Sequence, residues 1–182
     1  MDRKEEIFFK ILNAAVALDF RKWHLRWSMA ELSRESKITR SLIYYYFSKE
    51  KESILEEAVK LIGSDFFGLV PTKDSEWTAK RFGQSLLKTR HNLKKSPHLV
   101  TFYLAQRDKD TPIGIMLRDL ETQYIKKLKK AFPNSKEKYL QGLYAVFFGL
   151  AFAPMLEDDA LLTAVELAVQ SLVKFTGARS PS

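Results

Sequence analysis

A chain of 182 residues, 46% of them hydrophobic, is long enough for one all-helical body or for a small module fused to a larger one. It contains no cysteine, which excludes disulfides, thiolate catalysis and thiolate metal sites and fits the cytosol. The formal net charge of +8 favours a polyanionic partner, either nucleic acid or an anionic membrane surface.

Glycine and proline are sparse, β-branched alternation is absent, and apolar residues recur at helical spacing, so the fold class is all-α with about nine helices. The first helix is predicted from Arg3 to Phe20, with Ile7, Ile11, Ala14, Ala15 and Leu18 on one face. After a loop over Arg21 to Trp27, Ser28 and Glu31 form a capping box that opens a short helix from Met29 to Ser36. Trp27 and Leu32 stand where a hydrophobic staple forms. Thr39 is the N-cap of a second short helix, Arg40 to Phe47, with Ile38 and Ile43 as its staple. Two short helices joined by about three residues have the spacing of a helix-turn-helix.

A longer helix is predicted from Glu50 to Leu69, with Ile54, Leu55, Ala58, Val59, Ile62 and Phe66 on its core face. A loop over Val70 to Ser75 follows. Ser96-Pro97 and Thr111-Pro112 place a cap residue before proline at the first helical position. Helices are therefore expected over Trp77–Lys95, Pro97–Arg107 and Pro112–Phe132. Past the Pro133-Asn134-Ser135 break, two more are expected over Lys136–Met155 and Asp159–Phe175, and the polar tail from Thr176 to Ser182 frays. The N-terminus is charged, with no export-type apolar core behind it. The apolar run Leu143–Leu156 is shorter than the roughly 20 residues a membrane span needs, and Pro154 interrupts it. A soluble, cytoplasmic protein is expected.

The stretch from Ile11 to Leu55 carries a family likeness. Ile11-Leu12-x-Ala14-Ala15-x-x-Leu18, Ser28-Met29-x-x-Leu32 and Ile38-Thr39-Arg40-Ser41-Leu42-Ile43-Tyr44-Tyr45-Tyr46-Phe47 resemble the DNA-binding domain of TetR-family transcriptional regulators, without a gap from Ile11 to Phe47. The resemblance implies a helix-turn-helix domain over residues 1–50 and a ligand-binding and dimerisation domain over 51–182. It implies a homodimer on an inverted-repeat operator, usually a repressor released by a small molecule, and no cofactor. The sequence departs from the family pattern at four places. Trp23 stands where the family often has glycine. Lys37 replaces the turn glycine, at about 1 kcal/mol if its backbone is left-handed. Leu42 replaces a frequent threonine. The lysine after the closing phenylalanine is displaced, so Lys49 and Lys51 compete for its role.

The N-terminal residues of a recognition helix face base edges in the major groove. Arg40 and Ser41 are the base-contact candidates, with Leu42 against a thymine methyl. Ser28, Thr39, Tyr45, Tyr46, Lys49 and Lys51 are phosphate candidates, and Lys37 in the turn joins the DNA-contacting set. Tyr44 and Phe47 read as core. The aromatic content is high for a small bundle, and bundles place cavities between helices. The candidate ligand contacts are Phe66, Phe82, His91, Phe102, Tyr103, Gln106, Tyr124 and Phe152. The last two helices carry apolar residues on more than one face, which a two-fold four-helix interface buries. Leu143, Tyr144, Phe147, Leu150, Leu161, Val165 and Leu172 are its candidate residues.

The histidines His24, His91 and His98 are scattered, with Pro97 breaking any same-face pair, so surface roles outweigh metal binding. Glu157-Asp158-Asp159 suits a helix N-terminus better than a metal. No nucleophile–base–orienter set and no glycine-rich phosphate loop is present, so no enzymatic activity is expected. Two rival readings remain open: a helical interaction protein with a vestigial helix-turn-helix, and a basic protein binding anionic membranes through amphipathic helices.

Overall fold

A computed structural model of the chain describes residues 3–22, 25–47, 49–65, 79–153 and 155–176. Trp23, His24, Phe66, Phe67, Trp77, Pro154, the loop over 70–75 and the tail over 177–182 lie outside the described residues. Among the described residues there are nine α-helices and no strand: α1 (Arg3–Lys22), α2 (Met29–Ser36), α3 (Arg40–Tyr46), α4 (Lys51–Asp65), α5 (Ala79–Lys95), α6 (His98–Arg107), α7 (Pro112–Ala131), α8 (Glu137–Phe152) and α9 (Asp158–Thr176). No helix of the described residues is long and apolar enough to cross a membrane.

The starts follow from local chemistry. Ser28 Oγ accepts the Glu31 amide at 3.3 Å while Glu31 Oε2 accepts the Ser28 amide at 2.8 Å, which completes the capping box of α2. Thr39 Oγ1 accepts the Leu42 amide at 3.4 Å to cap α3. Thr111 Oγ1 accepts the Gly114 amide at 3.2 Å to cap α7. The expected side-chain cap at Ser96 is not made, because its hydroxyl is buried without a partner and its carbonyl takes the Leu99 amide instead.

The chain forms two compact units, Met1–Ile62 with Lys95–Arg118, and Gly63–Lys94 with Asp119–Ser182. In the first, α1 packs on α2 and α6, and α2 on α3. Its core takes Ile11, Ala15 and Leu18 from α1, Leu32 and Ile43 from α2 and α3, Ile54, Leu55, Ala58, Val59 and Ile62 from α4, and Leu99, Phe102 and Tyr103 from α6. The sets from α1, α4 and α6 repeat at three- and four-residue steps, as one buried helix face requires. A charged residue shares this core. Asp19 is 1% exposed, and its Oδ1 accepts the Leu25 amide at 2.8 Å and the Trp27 indole N–H at 3.2 Å. Its Oδ2 accepts the Gln106 side-chain amide at 2.9 Å. The Leu25 backbone, at φ 60°, is held in the left-handed region where the chain turns from α1 toward α2.

In the second unit α8 packs on α9, and Phe82, Leu86, Leu128, Phe132, Leu140, Leu143, Phe147, Leu161, Val165, Val169 and Leu172 are buried. The Phe82 ring lies 6.0 Å from Phe132 and 5.4 Å from Phe147, both within the range for attractive ring pairs.

Candidate nucleic-acid interface and aromatic cavity

The turn between α2 and α3 is built from three serine and backbone contacts. Ser33 Oγ donates to the Ile38 carbonyl at 2.6 Å, Ser36 Oγ donates to Leu32 O at 2.7 Å, and the Ile38 amide donates to Ser36 Oγ at 3.3 Å. Lys37 takes a left-handed backbone at φ 58°, so a lysine does occupy the conformation that favours glycine. The turn directs α3 so that Ile43 and Phe47, four residues apart, are buried, with Phe47 stacked on Phe8 at 4.8 Å. Arg40 and Ser41 are left exposed at the helix N-terminus, Leu42 is half-buried, and Tyr45 is 79% exposed with its ring 5.2 Å from the half-buried Tyr46. Tyr44 corrects the sequence reading. It is 39% exposed rather than core, because a seven-residue helix anchored at Ile43 and Phe47 has no further inward position.

The phosphate candidates separate into two groups. Ser28 and Thr39 are exposed hydroxyls already accepting cap amides; the Ser28 hydroxyl also donates to Glu31 Oε2 at 3.0 Å, and Thr39 Oγ1 shares a hydrogen bond with Ser41 Oγ at 3.2 Å. Glu31, beside Ser28, has its carboxyl pulled down to about 2 by the hydrogen bond from Lys22 and by the Ser28 backbone and side-chain donors. Lys49 is exposed. Lys51 is not equivalent. It is half-buried, its ammonium donates to the Leu25 carbonyl at 2.7 Å, and it lies 5.5 Å from the Trp27 ring centre. That ammonium braces the turn ahead of α2.

The second unit contains a small open-sided cavity lined by Leu86, Thr89, Tyr124, Tyr144, Phe147, Phe148, Ala151 and Phe152. Tyr144, Phe148 and Phe152 follow one another at four-residue steps on α8. Their rings are 5.9 and 4.4 Å apart, and Tyr124 joins from α7 at 5.8 Å from Tyr144. Burial pushes the Tyr124 hydroxyl well above its usual ionisation range, with Tyr144 adding a smaller push in the same direction. One turn on, half-buried Lys127 is lowered to about 8 by burial.

Of the ligand candidates, Tyr124 and Phe152 line this cavity. Phe82 is stacked in the core beside it, and His91 is exposed with Nε2 3.4 Å from Asp158 Oδ2. Phe102, Tyr103 and Gln106 are buried on α6 in the first unit. Of the dimer candidates, Leu143, Phe147, Leu161, Val165 and Leu172 are already buried within the single chain. A face buried once has no surface left for a second copy. Tyr144 and Leu150 are half-buried, and Tyr144 lines the cavity. The exposed apolar surface of these helices is another face, with Gly142, Ala145, Val146 and Gly149 on α8 and Leu167 on α9.

Solved structures match nearly the whole chain. A TetR-family transcriptional regulator from Haemophilus influenzae is 18% identical, covers 92% of this chain and 97% of its own, and superposes with a TM-score of 0.59. A Rhodococcus sp. protein assigned to the same family is 15% identical over 92% of this chain and 98% of its own, at TM-score 0.63. A TetR-family member from Streptomyces coelicolor is 16% identical over 87% and 88%, at TM-score 0.57. The fold is that of the TetR-family regulators. No family model and no curated protein matches the sequence, so the likeness is one of structure.

Within this TetR-type fold, residues passed over by the sequence reading stand out. Asp19 and Arg90 are charged residues at core-facing helical positions, which is the signal that marks them. Phe148 completes the four-residue spacing between Tyr144 and Phe152, which was legible in the sequence. Among the described residues no cluster of acidic residues and histidines has the geometry to hold a metal ion.

Proposed function

We propose that the protein is a DNA-binding transcriptional regulator. Residues 1–50 bind DNA, and residues 51–182 carry the dimer interface and respond to a small hydrophobic or aromatic ligand that releases an inverted-repeat operator. The observation that carries this reading is α3, a capped seven-residue helix that keeps Arg40, Ser41 and Tyr45 exposed while Ile43 and Phe47 fix it to the core. A helix of this size fits the major groove, and an exposed arginine in its first turn can pair bidentately with guanine. The net charge of +8 supports a polyanionic partner. The likeness to structures described as TetR-family regulators supports repression by a homodimer without enzymatic activity. The aromatic cavity supports a ligand that releases DNA by binding the DNA-incompetent arrangement more tightly.

The test is selection of bound sequences from a random duplex pool by the purified full chain. Enrichment of a two-fold symmetric site, bound in a salt-dependent manner, is the expected result. Binding without sequence enrichment overturns the reading in favour of a helical interaction protein or a general polyanion binder.

A further inference from the structure

The positive charge of the chain is not confined to the helix-turn-helix. Between Thr122 and Leu156 stand six lysines, Lys126, Lys127, Lys129, Lys130, Lys136 and Lys138, against one acidic residue, Glu137. They fall on the last two turns of α7, on the corner after it and on the first turn of α8. Lys127 is half-buried and the other five are exposed. Lys129 Nζ donates to the Ser135 carbonyl at 2.7 Å, which ties the end of α7 to the corner. Among the described residues no carboxylate pairs with Lys126, Lys130, Lys136 or Lys138. Like charges gathered this densely repel one another in the folded chain, so an anionic partner gains by covering them.

Topology brings a further cation and two aromatic rings to the same place. Five residues join α7 to α8, and Tyr124 of α7 meets Tyr144 of α8 at 5.8 Å. Five residues also join α8 to α9, and these two helices pack together. Connections this short between packed helices run them antiparallel. The end of α7, the start of α8 and the end of α9 therefore share one end of the second unit. The last turn of α9 supplies Lys174 there, followed by Phe175, which is 81% exposed. The first turn of α8 supplies Tyr139, 38% exposed, with Lys138 Nζ 5.1 Å from its ring centre.

Lysines by themselves suit any polyanion, and the exposed rings choose between partners. Duplex phosphates take the lysines and leave the rings unused. The headgroup layer of a bilayer takes both. Lysine ammoniums reach lipid phosphates on flexible stems, and aromatic rings settle at the boundary between headgroups and acyl chains. Groups of about four to eight lysines are what an anionic leaflet attracts. No helix of the described residues can cross a membrane, so the contact is peripheral. We propose that this end of the second unit docks on the surface of an anionic phospholipid bilayer, with Lys126, Lys130, Lys136, Lys138 and Lys174 on the headgroups and Phe175 at the acyl boundary. The docking does not rest on the DNA-binding reading, because none of these residues belongs to the helix-turn-helix.

The experiment is co-sedimentation of the full chain with phosphatidylcholine vesicles, with and without phosphatidylglycerol, at several salt concentrations. Binding to the anionic vesicles alone, weakening as salt rises, is the expected result. Each lysine near an anionic leaflet is worth roughly five-fold in partitioning, so Lys126→Gln, Lys130→Gln and Lys136→Gln together should weaken it about 100-fold. Phe175→Ser should weaken it about 10-fold at every salt concentration and leave the salt dependence unchanged. Lys49→Ala, in the helix-turn-helix domain, should leave partitioning as it is. Absence of wild-type binding to the anionic vesicles, or equal binding to the neutral ones, overturns the proposal whether or not the variants fold. Unchanged partitioning of the folded triple variant, or its loss in Lys49→Ala, places the contact elsewhere and overturns it too. Two other occupants have their own signatures. Loss of random-duplex affinity in the triple variant, with no vesicle binding by wild type, assigns the lysines to a DNA backbone. A smaller sedimenting mass of Phe175→Ser without vesicles, at unchanged partitioning, assigns the ring to a second copy of the chain. Either result overturns the docking.

Discussion

Gln106 donates its side-chain amide to the carboxylate of Asp19 at 2.9 Å, across 87 residues of sequence. Because Asp19 also holds the Leu25 amide and the Trp27 indole, one buried carboxylate joins the last turn of α6 to the turn that launches the helix-turn-helix. Asp19→Ala leaves buried donors without an acceptor, which is the expensive way to lose hydrogen bonds, and is expected to lower stability by about 2–4 kcal/mol. Gln106→Leu takes one donor from Asp19 Oδ2 but also removes a carbonyl oxygen that has no partner, so it should cost less, about 1–2 kcal/mol. Urea midpoints at constant m separate the two. Equal losses would show that the carboxylate is not the hub.

Gly114 makes the next prediction. A Cβ there would sit 2.1 Å from the Lys109 carbonyl oxygen and 2.8 Å from that of Gln106. Both are backbone atoms that cannot swing aside. Arg118 Nη1 holds the same corner through the Arg107 carbonyl at 2.7 Å and the Lys109 carbonyl at 3.1 Å. Gly114→Ala should therefore destabilise by about 1–3 kcal/mol despite alanine's better helix propensity. A melting temperature at or above wild type would count against the packing described for the α6–α7 corner.

These two cases mark what one sequence can convey. The start of α2 at Met29 was readable to the residue, because Ser28 and Glu31 signal across three positions. The start of α3 at Arg40 was readable from Thr39 as its N-cap. Asp19 was not, since its meaning depends on Gln106, and helical periodicity says nothing about which distant helix a face meets. The apolar faces of α8 and α9 were visible, but periodicity could not tell which face the chain itself covers. Leu143, Phe147, Leu161 and Val165 therefore read as surface for a partner although the monomer buries them.

On DNA, Arg40 and Lys49 should fail differently. If Arg40 reads a base edge as proposed, Arg40→Ala is expected to lose about 1–3 kcal/mol at the preferred site and relax the sequence choice there. Lys49→Ala should weaken all duplexes alike and reduce the salt slope by about one. Lys51→Ala, which releases the brace on Leu25 and Trp27, should lower thermal stability as well as affinity. Gel-shift titrations at several salt concentrations distinguish these patterns, and unchanged selectivity in Arg40→Ala would remove it from base contact.

Lys127 gives the fold a pH dependence. Its folded pKa of about 8 lies below the roughly 10.4 of an unfolded lysine, so between these values the unfolded chain holds a proton that the folded chain has released. Stability then rises with pH across that window, and the penalty for burying the charge is fully present below about pH 8. Lys127→Met should melt higher than wild type at pH 7, with the advantage shrinking by pH 10. A constant difference would mean that the lysine's burial does not govern it.

The last prediction concerns assembly. The exposed face of α8 carries Gly142, Ala145, Val146 and Gly149, and Leu167 on α9 is 59% exposed. A Cβ added at Gly142 or Gly149 meets no described atom within 4 Å, so in an isolated chain Gly→Ala at either position should stabilise by about 0.5–1 kcal/mol through helix propensity alone. If a second copy packs this face about a two-fold axis, the added methyl groups meet the partner helix and the gain is lost or reversed. Leu167→Glu should then shift the protein toward monomer, because it would place an unpaired charge in the interface, while leaving each chain folded. Sedimentation equilibrium at micromolar concentration and helical circular dichroism read the two effects separately. A wild-type chain that sediments as a monomer would end the dimer proposal. A dimer unaffected by Leu167→Glu and stabilised by Gly149→Ala would move the interface to another face.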